Sequence, residues 1–194
     1  TAYEIYQCDW SSDVCSSDLN GLTGDYSVSQ LALTGVTIAS RSSVYGSVVT
    51  PGAVSFTNVV AGDVVNASAS LVGTSLSTGG KVNAGAYAQQ VSTINGADSS
   101  NYSLSSYTTP GNTYTVSQLA LTGVTIASGS SVYGSVVTPG AVSFTNVVAG
   151  DVVNASASLV GTSLSTGGKV NAGAYAQQVS TINGADSSNY SLSS

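Results

Sequence analysis

The side chains with any capacity for chemistry are few, and most of them occur twice. Asp63 and Asp98 recur as Asp151 and Asp186. Two carboxylates are what glycoside hydrolysis requires, one to protonate the leaving group and one to attack or activate water. Each of these aspartates, however, follows Gly or Ala in a turn context, where a short carboxylate bonds its own backbone. The stretch from Gly73 to Lys81 glances toward a phosphate-binding loop. Its glycine spacing departs from that motif, and Val82 stands where a magnesium-binding hydroxyl is needed, so it reads as a glycine turn before a strand. Asn95 through Asn101 is rich in oxygen atoms but lacks the acidic density of a calcium loop. Tyr45 and Tyr107 can stack on a sugar, although packing between strands is the commoner use of such rings. The chain has no histidine, and beyond Cys15 it has no cysteine. No nucleophile–imidazole pair and no transition-metal site can therefore be built from the rest. No catalytic, cofactor-binding or metal-ligating residue is assigned, no cofactor is expected, and the chain is not expected to be an enzyme.

The composition divides at residue 19. Both cysteines, the only tryptophan (Trp10) and four of the nine acids (Glu4, Asp9, Asp13, Asp18) lie before it. Thr1–Ile5 and Asp9–Leu19 resemble the translation of a widely used short-read sequencing adapter, with its variable index falling at Tyr6-Gln7. Residues 1–19 are accordingly expected to be an artefact of a metagenomic or draft assembly, without a structural role. From residue 20 onward, five acids (Asp25, Asp63, Asp98, Asp151, Asp186) face three bases (Arg41, Lys81, Lys169), a balance of −2. That leaves no electrostatic footprint for nucleic acid or an anionic membrane. No apolar run approaches the ~20 residues of a membrane-spanning helix, so no membrane span is expected in this fragment.

The rest is a tandem repeat. Residues 28–106 and 116–194 differ only where Arg41 faces Gly129, and 107–115 connect them, giving a period of 88 residues from Val28 to Val116. Such a period suits a small domain repeated in tandem. Residues 20–27 read as the remnant of a preceding repeat, and the chain as a piece of a longer array. Ala67, Ala69 and Leu71 alternate with Ser and Asn, and Val82, Ala84, Ala86 and Ala88 with Lys81, Asn83, Gly85 and Tyr87, a strand period of two. Pro51-Gly52, Gly62-Asp63, Gly79-Gly80 and Asn95-Gly96 supply turns, and Gly35 marks a change of phase in LALTGVTI. About six strands per copy are expected, near 29–38, 43–49, 53–60, 64–72, 81–94 and 100–105, with Arg41 in a solvated turn. The fold expected is all-β, built of tandem small β-sandwich or β-sheet domains with no helices. Phe56, Leu71, Leu76, Tyr87, Ile94, Tyr102 and Leu104 are the expected core anchors.

Each copy carries, in order, Val44-Tyr45-Gly46-Ser47, Val59-Val60-Ala61-Gly62-Asp63, Asn83-Ala84-Gly85-Ala86-Tyr87, Asn95-Gly96-Ala97-Asp98 and Asn101-Tyr102-Ser103-Leu104. This series resembles the YDG and MBG (YGX-type) repeats of filamentous-haemagglutinin-like bacterial surface adhesins, over nearly all of both copies. Gly46-Ser47 in place of Asp-Gly favours the YGX type. The resemblance implies an exported protein, extracellular and at the bacterial cell surface or outer membrane. The function expected is that of a stalk repeat spacing a distal binding region from the cell, its partners being neighbouring repeats of the same chain. The alternative is a repeat that itself binds a glycan or a host surface protein. Identical neighbours also carry a hazard, since they can exchange strands.

Overall fold

The computed structural model describes residues 26–192, so that residues 1–19 and most of the 20–27 remnant lie outside the described residues. The chain divides into two compact units, Thr1–Gln30 and Leu31–Ser194, and the second contains every strand described. It is all-β, and the helical segments among the described residues are two single 3₁₀ turns, Ser99–Asn101 and Ser187–Asn189.

Repeat 1 contributes β1 (Leu31–Ala32), β2 (Thr37–Ile38), β3 (Arg41–Val44), β4 (Val54–Ser55), β5 (Asn66–Ala67), β6 (Ser70–Leu71), β7 (Gly85–Tyr87), β8 (Gln89–Val91), β9 (Ile94–Asn95) and β10 (Tyr102–Ser103). In the connector lies β11 (Tyr107–Thr108), and β12 (Tyr114–Ser117) straddles the start of repeat 2. Repeat 2 continues with β13 (Leu119–Leu121), β14 (Thr125–Ile126), β15 (Val142–Ser143), β16 (Asn154–Val160), β17 (Ala176–Asn183) and β18 (Tyr190–Leu192). These strands form several two- and three-stranded sheets. Each repeat pairs its first strand with its last in parallel, β1 with β10 and β13 with β18. Antiparallel pairs β2–β4 and β14–β15 also correspond between the copies.

The strands are shorter and more interrupted than the alternation of residues implies. The run expected over 29–38 is cut at Gly35, whose φ of 59° only glycine adopts without strain. A Cβ there would also meet Thr57 Oγ1 at 2.2 Å. The runs expected over 64–72 and 81–94 form one ladder in repeat 2, β16 against β17, with a register shift between Ser156 and Ala157. In repeat 1 the ladder breaks at the equivalent place into β5–β9 and β6–β8. A bulge needs an unpaired residue, and period-two counting through it carries the wrong parity onward.

Of the expected core anchors, Tyr87 and Tyr102 are buried, while Phe56, Leu71, Ile94 and Leu104 are half-buried. Leu76 is exposed, because its bridge to Val82 is isolated and no neighbouring strand covers it. The central cluster is instead Tyr45, Tyr87, Tyr114, Val116, Leu121 and Tyr190, drawn from both repeats. Arg41 heads a strand instead of lying in a turn, its amide donating to Thr113 O at 3.0 Å, with its side chain exposed. Arg41→Gly is therefore expected to lower stability by about 0.5–1 kcal/mol, the entropic penalty of glycine within a strand. Urea unfolding would check it, and a change indistinguishable from zero would contradict the paired-strand placement.

Candidate functional site: the junction between repeats

The end of the connector and the first residues of repeat 2 complete the sheet of repeat 1. Strand β12 inserts between β3 and β7. It runs parallel to β3, with Tyr114 opposite Arg41 and Ser117 opposite Val44. It runs antiparallel to β7, with Tyr114 opposite Tyr87 and Val116 opposite Gly85. Tyr114 and Val116 are buried while Thr115 and Ser117 are exposed, the alternation of a strand with one face on a core. Upstream, β11 pairs antiparallel with β8. Gln89, itself buried, fastens the connector. Its amide accepts and donates through Thr109 (N to Thr109 Oγ1 at 3.0 Å, Thr109 N to Gln89 O at 2.8 Å), and its Nε2 donates to Thr113 Oγ1 at 2.9 Å. A two-sided backbone pairing plus two buried side chains is the chemistry of strand addition.

A second set of contacts crosses from one repeat to the other around Asp151. Tyr45 of repeat 1 and Tyr190 of repeat 2 both donate their hydroxyls to Asp151 Oδ2 at 2.5 Å. Their rings meet edge to face, with centroids 5.3 Å apart. Such short O–H···O⁻ bonds belong to the strong, charge-assisted kind. The other oxygen, Oδ1, accepts the Gly79 amide at 3.0 Å. Beside it, Asp186 accepts the Thr78 amide of repeat 1 at 2.9 Å and the Val152 amide of its own repeat at 2.7 Å. Asn189 accepts from the Ala84 amide at 2.7 Å and donates to Asn83 Oδ1 at 2.9 Å. Close approach depends on glycine: a Cβ on Gly79 would meet Asp151 Oδ1 at 2.6 Å and Ala149 O at 2.7 Å.

Partial burial works to raise the Asp151 pKa, but the hydrogen bonds from Tyr190, Tyr45, Ser77 and the Gly79 amide outweigh it and hold the carboxyl below its ordinary range. The Val152 and Thr78 amides do the same for Asp186. Burial first, and the bond to Asp151 second, push the Tyr45 hydroxyl up to about 12, and the same two causes raise Tyr190. A depressed carboxyl pKa contributes stability that is present above the ordinary carboxylate range and lost as pH falls through the folded value. A raised tyrosine pKa contributes stability that is present below about pH 10 and lost as pH climbs toward about 12. The thermal midpoint is thus expected to be level from about pH 5 to about pH 9 and to fall on both sides. A midpoint unchanged at pH 2.5 would contradict the role given to the carboxylates.

The aspartates singled out as a conceivable carboxylate pair thus meet amides and tyrosines of the adjacent repeat. In repeat 1, Asp63 accepts the Tyr102 hydroxyl at 2.5 Å, and Asp98 accepts the Val64 amide at 2.7 Å. The Gly73–Lys81 stretch forms a tight turn, closed by Ser77 N to Lys81 O at 2.8 Å and Gly80 N to Ser77 O at 2.9 Å. Its resemblance to an anion-binding loop has a physical counterpart, since the exposed Thr78 and Gly79 amides receive anions, namely the carboxylates of the next repeat. Tyr45 is buried in the junction, and Tyr107 lies in β11. Residues 95–101 close on the 3₁₀ turn Ser99–Asn101. Missed in the sequence were Tyr114, Val116, Gln89 and Asn189. The signal for the first two was Tyr26-Ser27-Val28-Ser29, which repeats Tyr114-Thr115-Val116-Ser117 and extends the copied unit upstream of Val28. Among the described residues no helix is long and apolar enough to cross a membrane. No protein-family model, no curated protein and no solved structure matches the chain.

Proposed function

We propose that the chain is a structural stalk repeat of a secreted or cell-surface bacterial adhesin, of the YDG/MBG (YGX) type, that holds a distal binding region away from the cell. The observation that supports this reading best is the insertion of β12 into the sheet of the preceding repeat. A chain pulled from its ends loads that strand through backbone hydrogen bonds on both sides, so tension passes from one repeat to the next without relying on a flexible linker. The junction of Asp151, Tyr45 and Tyr190 adds a second, rigid attachment. Both are architectural devices, and the reading is of a non-enzymatic protein outside the cell, at the bacterial surface or outer membrane. Absence of cysteine beyond Cys15 leaves each repeat free of disulfides in an oxidising compartment. Small-angle scattering on chains of two, four and eight copies tests the spacer role. A maximum dimension that grows linearly with copy number is expected. Growth that levels off, or tight binding of a glycan by the two-copy chain on a glycan array, would replace the spacer with a binding module.

A further inference from the structure

Repeat 2 contains the same groove that β12 fills in repeat 1, and there it is open. The counterparts of β3 and β7, residues 129–132 and 173–175, form no strand. Together with Tyr133, Leu159 and Gln177 they line a cleft of about 370 Å³. The two grooves are identical in sequence except for Arg41 against Gly129, so their differences follow from the strand. Tyr45 is 2% exposed and its counterpart Tyr133 58%. Gln89 Nε2 donates to Ala39 O and to Thr113 Oγ1 of the connector, whereas Gln177 Nε2 donates to Ala127 O.

The chain also carries a second strand of the kind the groove accepts. Tyr26-Ser27-Val28-Ser29 differs from Tyr114-Thr115-Val116-Ser117 by one hydroxyl residue, and Tyr26 and Val28 are 92% and 84% exposed. The other half of the junction is likewise displayed. Asp63, Asp98 and Asn101 are the counterparts of Asp151, Asp186 and Asn189, and Thr166-Gly167 is the counterpart of the Thr78-Gly79 tip that receives those aspartates. Around Gly167 the space is open, the nearest atom to an added Cβ being Ser165 Oγ at 4.0 Å.

We propose that the groove of repeat 2 takes up the Tyr26–Ser29 strand of a second copy of this chain. The incoming strand would lie between residues 129–132 and 173–175, as β12 does between β3 and β7. Its Tyr26 and Val28 would enter the positions that Tyr114 and Val116 hold in repeat 1. Asp63 of the incoming copy, already bound by Tyr102, would accept the Tyr133 hydroxyl, and its Asp98 would accept the Thr166 amide. The two surfaces differ, so the contact is heterologous and leaves a free groove at one end and a free strand at the other. Association is therefore open-ended, one copy after another, and it does not depend on the spacer reading.

Sedimentation velocity of the full chain from micromolar to millimolar concentration tests this, together with two variants. The average sedimentation coefficient is expected to rise continuously with concentration, without the plateau of a closed dimer. Val28→Asp places a charge on the strand, and Gly167→Val places a side chain where the aspartate of the second copy would sit. Each is expected to weaken association about tenfold or more, as a built-in clash does. Gly167→Val should leave the unfolding midpoint of the dilute protein unchanged, because its space is open in the single chain. A synthetic peptide of residues Tyr107–Ser117 is expected to bind the chain and to stop its growth. A chain that stays monomeric throughout, or variants that associate like the parent, would overturn the proposal. Peptide binding by a chain that remains monomeric would overturn the second copy as the occupant, while keeping the groove as a strand acceptor.

Discussion

Replacing Tyr114 by alanine is expected to destabilise the first repeat by about 3–5 kcal/mol, the range for truncating a fully buried aromatic side chain. Tyr114 is 1% exposed, stands opposite both Arg41 and Tyr87, and its hydroxyl accepts the Thr50 amide at 3.2 Å. Its loss empties the middle of the cluster and leaves that amide without its partner. Tyr26→Ala, the same change at the equivalent position of the other copy, should cost less than about 0.5 kcal/mol in the dilute chain, because Tyr26 is exposed. The contrast matters more than either value. Urea unfolding of the two variants side by side reads it, and equal losses would show that the inserted strand is not what completes repeat 1.

The second large effect is expected at Asp151. Asp151→Ala removes the shared acceptor of Tyr45 and Tyr190 and leaves two hydroxyls in the buried cluster without a partner. At about 1–3 kcal/mol for each unsatisfied group, the junction should lose about 2–6 kcal/mol. Asp63→Ala, which removes the acceptor of Tyr102 alone, should cost about half as much. Adding Tyr45→Phe to Asp151→Ala removes one of the stranded hydroxyls and should restore part of the loss. A double-mutant cycle would give a coupling of about 0.5–3 kcal/mol for residues in direct contact. Two independent, additive losses would mean that Tyr45 and Asp151 do not act across the junction.

Much of this was legible in the sequence because a period of two and a period of 88 are both simple to see. The all-β class follows from Ala67, Ala69 and Leu71, and from the glycine turns that separate such runs. The places where the strands break were not legible. Gly35 announces its own turn, but nothing in Ser68-Ala69 or in Ser156-Ala157 marks a shift of register, which depends on what the partner strand does. The core was misplaced for a related reason. Leu76 is large and apolar, and only the topology reveals that no strand lies beside it. Tyr114 and Val116 belong by sequence to the connector and the second copy, yet by hydrogen bonding they belong to the first. Repetition shows where a copied segment begins, whereas folding is free to cut the same chain at a different phase. The junction was invisible for that reason too, since Asp151 and Tyr45 lie 106 positions apart and meet only once the repeats are docked.

The parallel pairing of β12 with β3 has a consequence for the order of events as the chain is made. Ser117 and Ser43 lie 74 positions apart, so a repeat cannot close its sheet when its own last residue appears. It must wait until the opening strand of its successor has been synthesised. Local pairs such as β2–β4 form early, and long-range closure comes last because it carries the greatest loss of chain entropy. In an array made or exported from its N-terminus, each repeat would remain slightly unfinished until the next has begun to emerge. Folding would then advance along the polymer at the pace of its delivery, one step behind the exit.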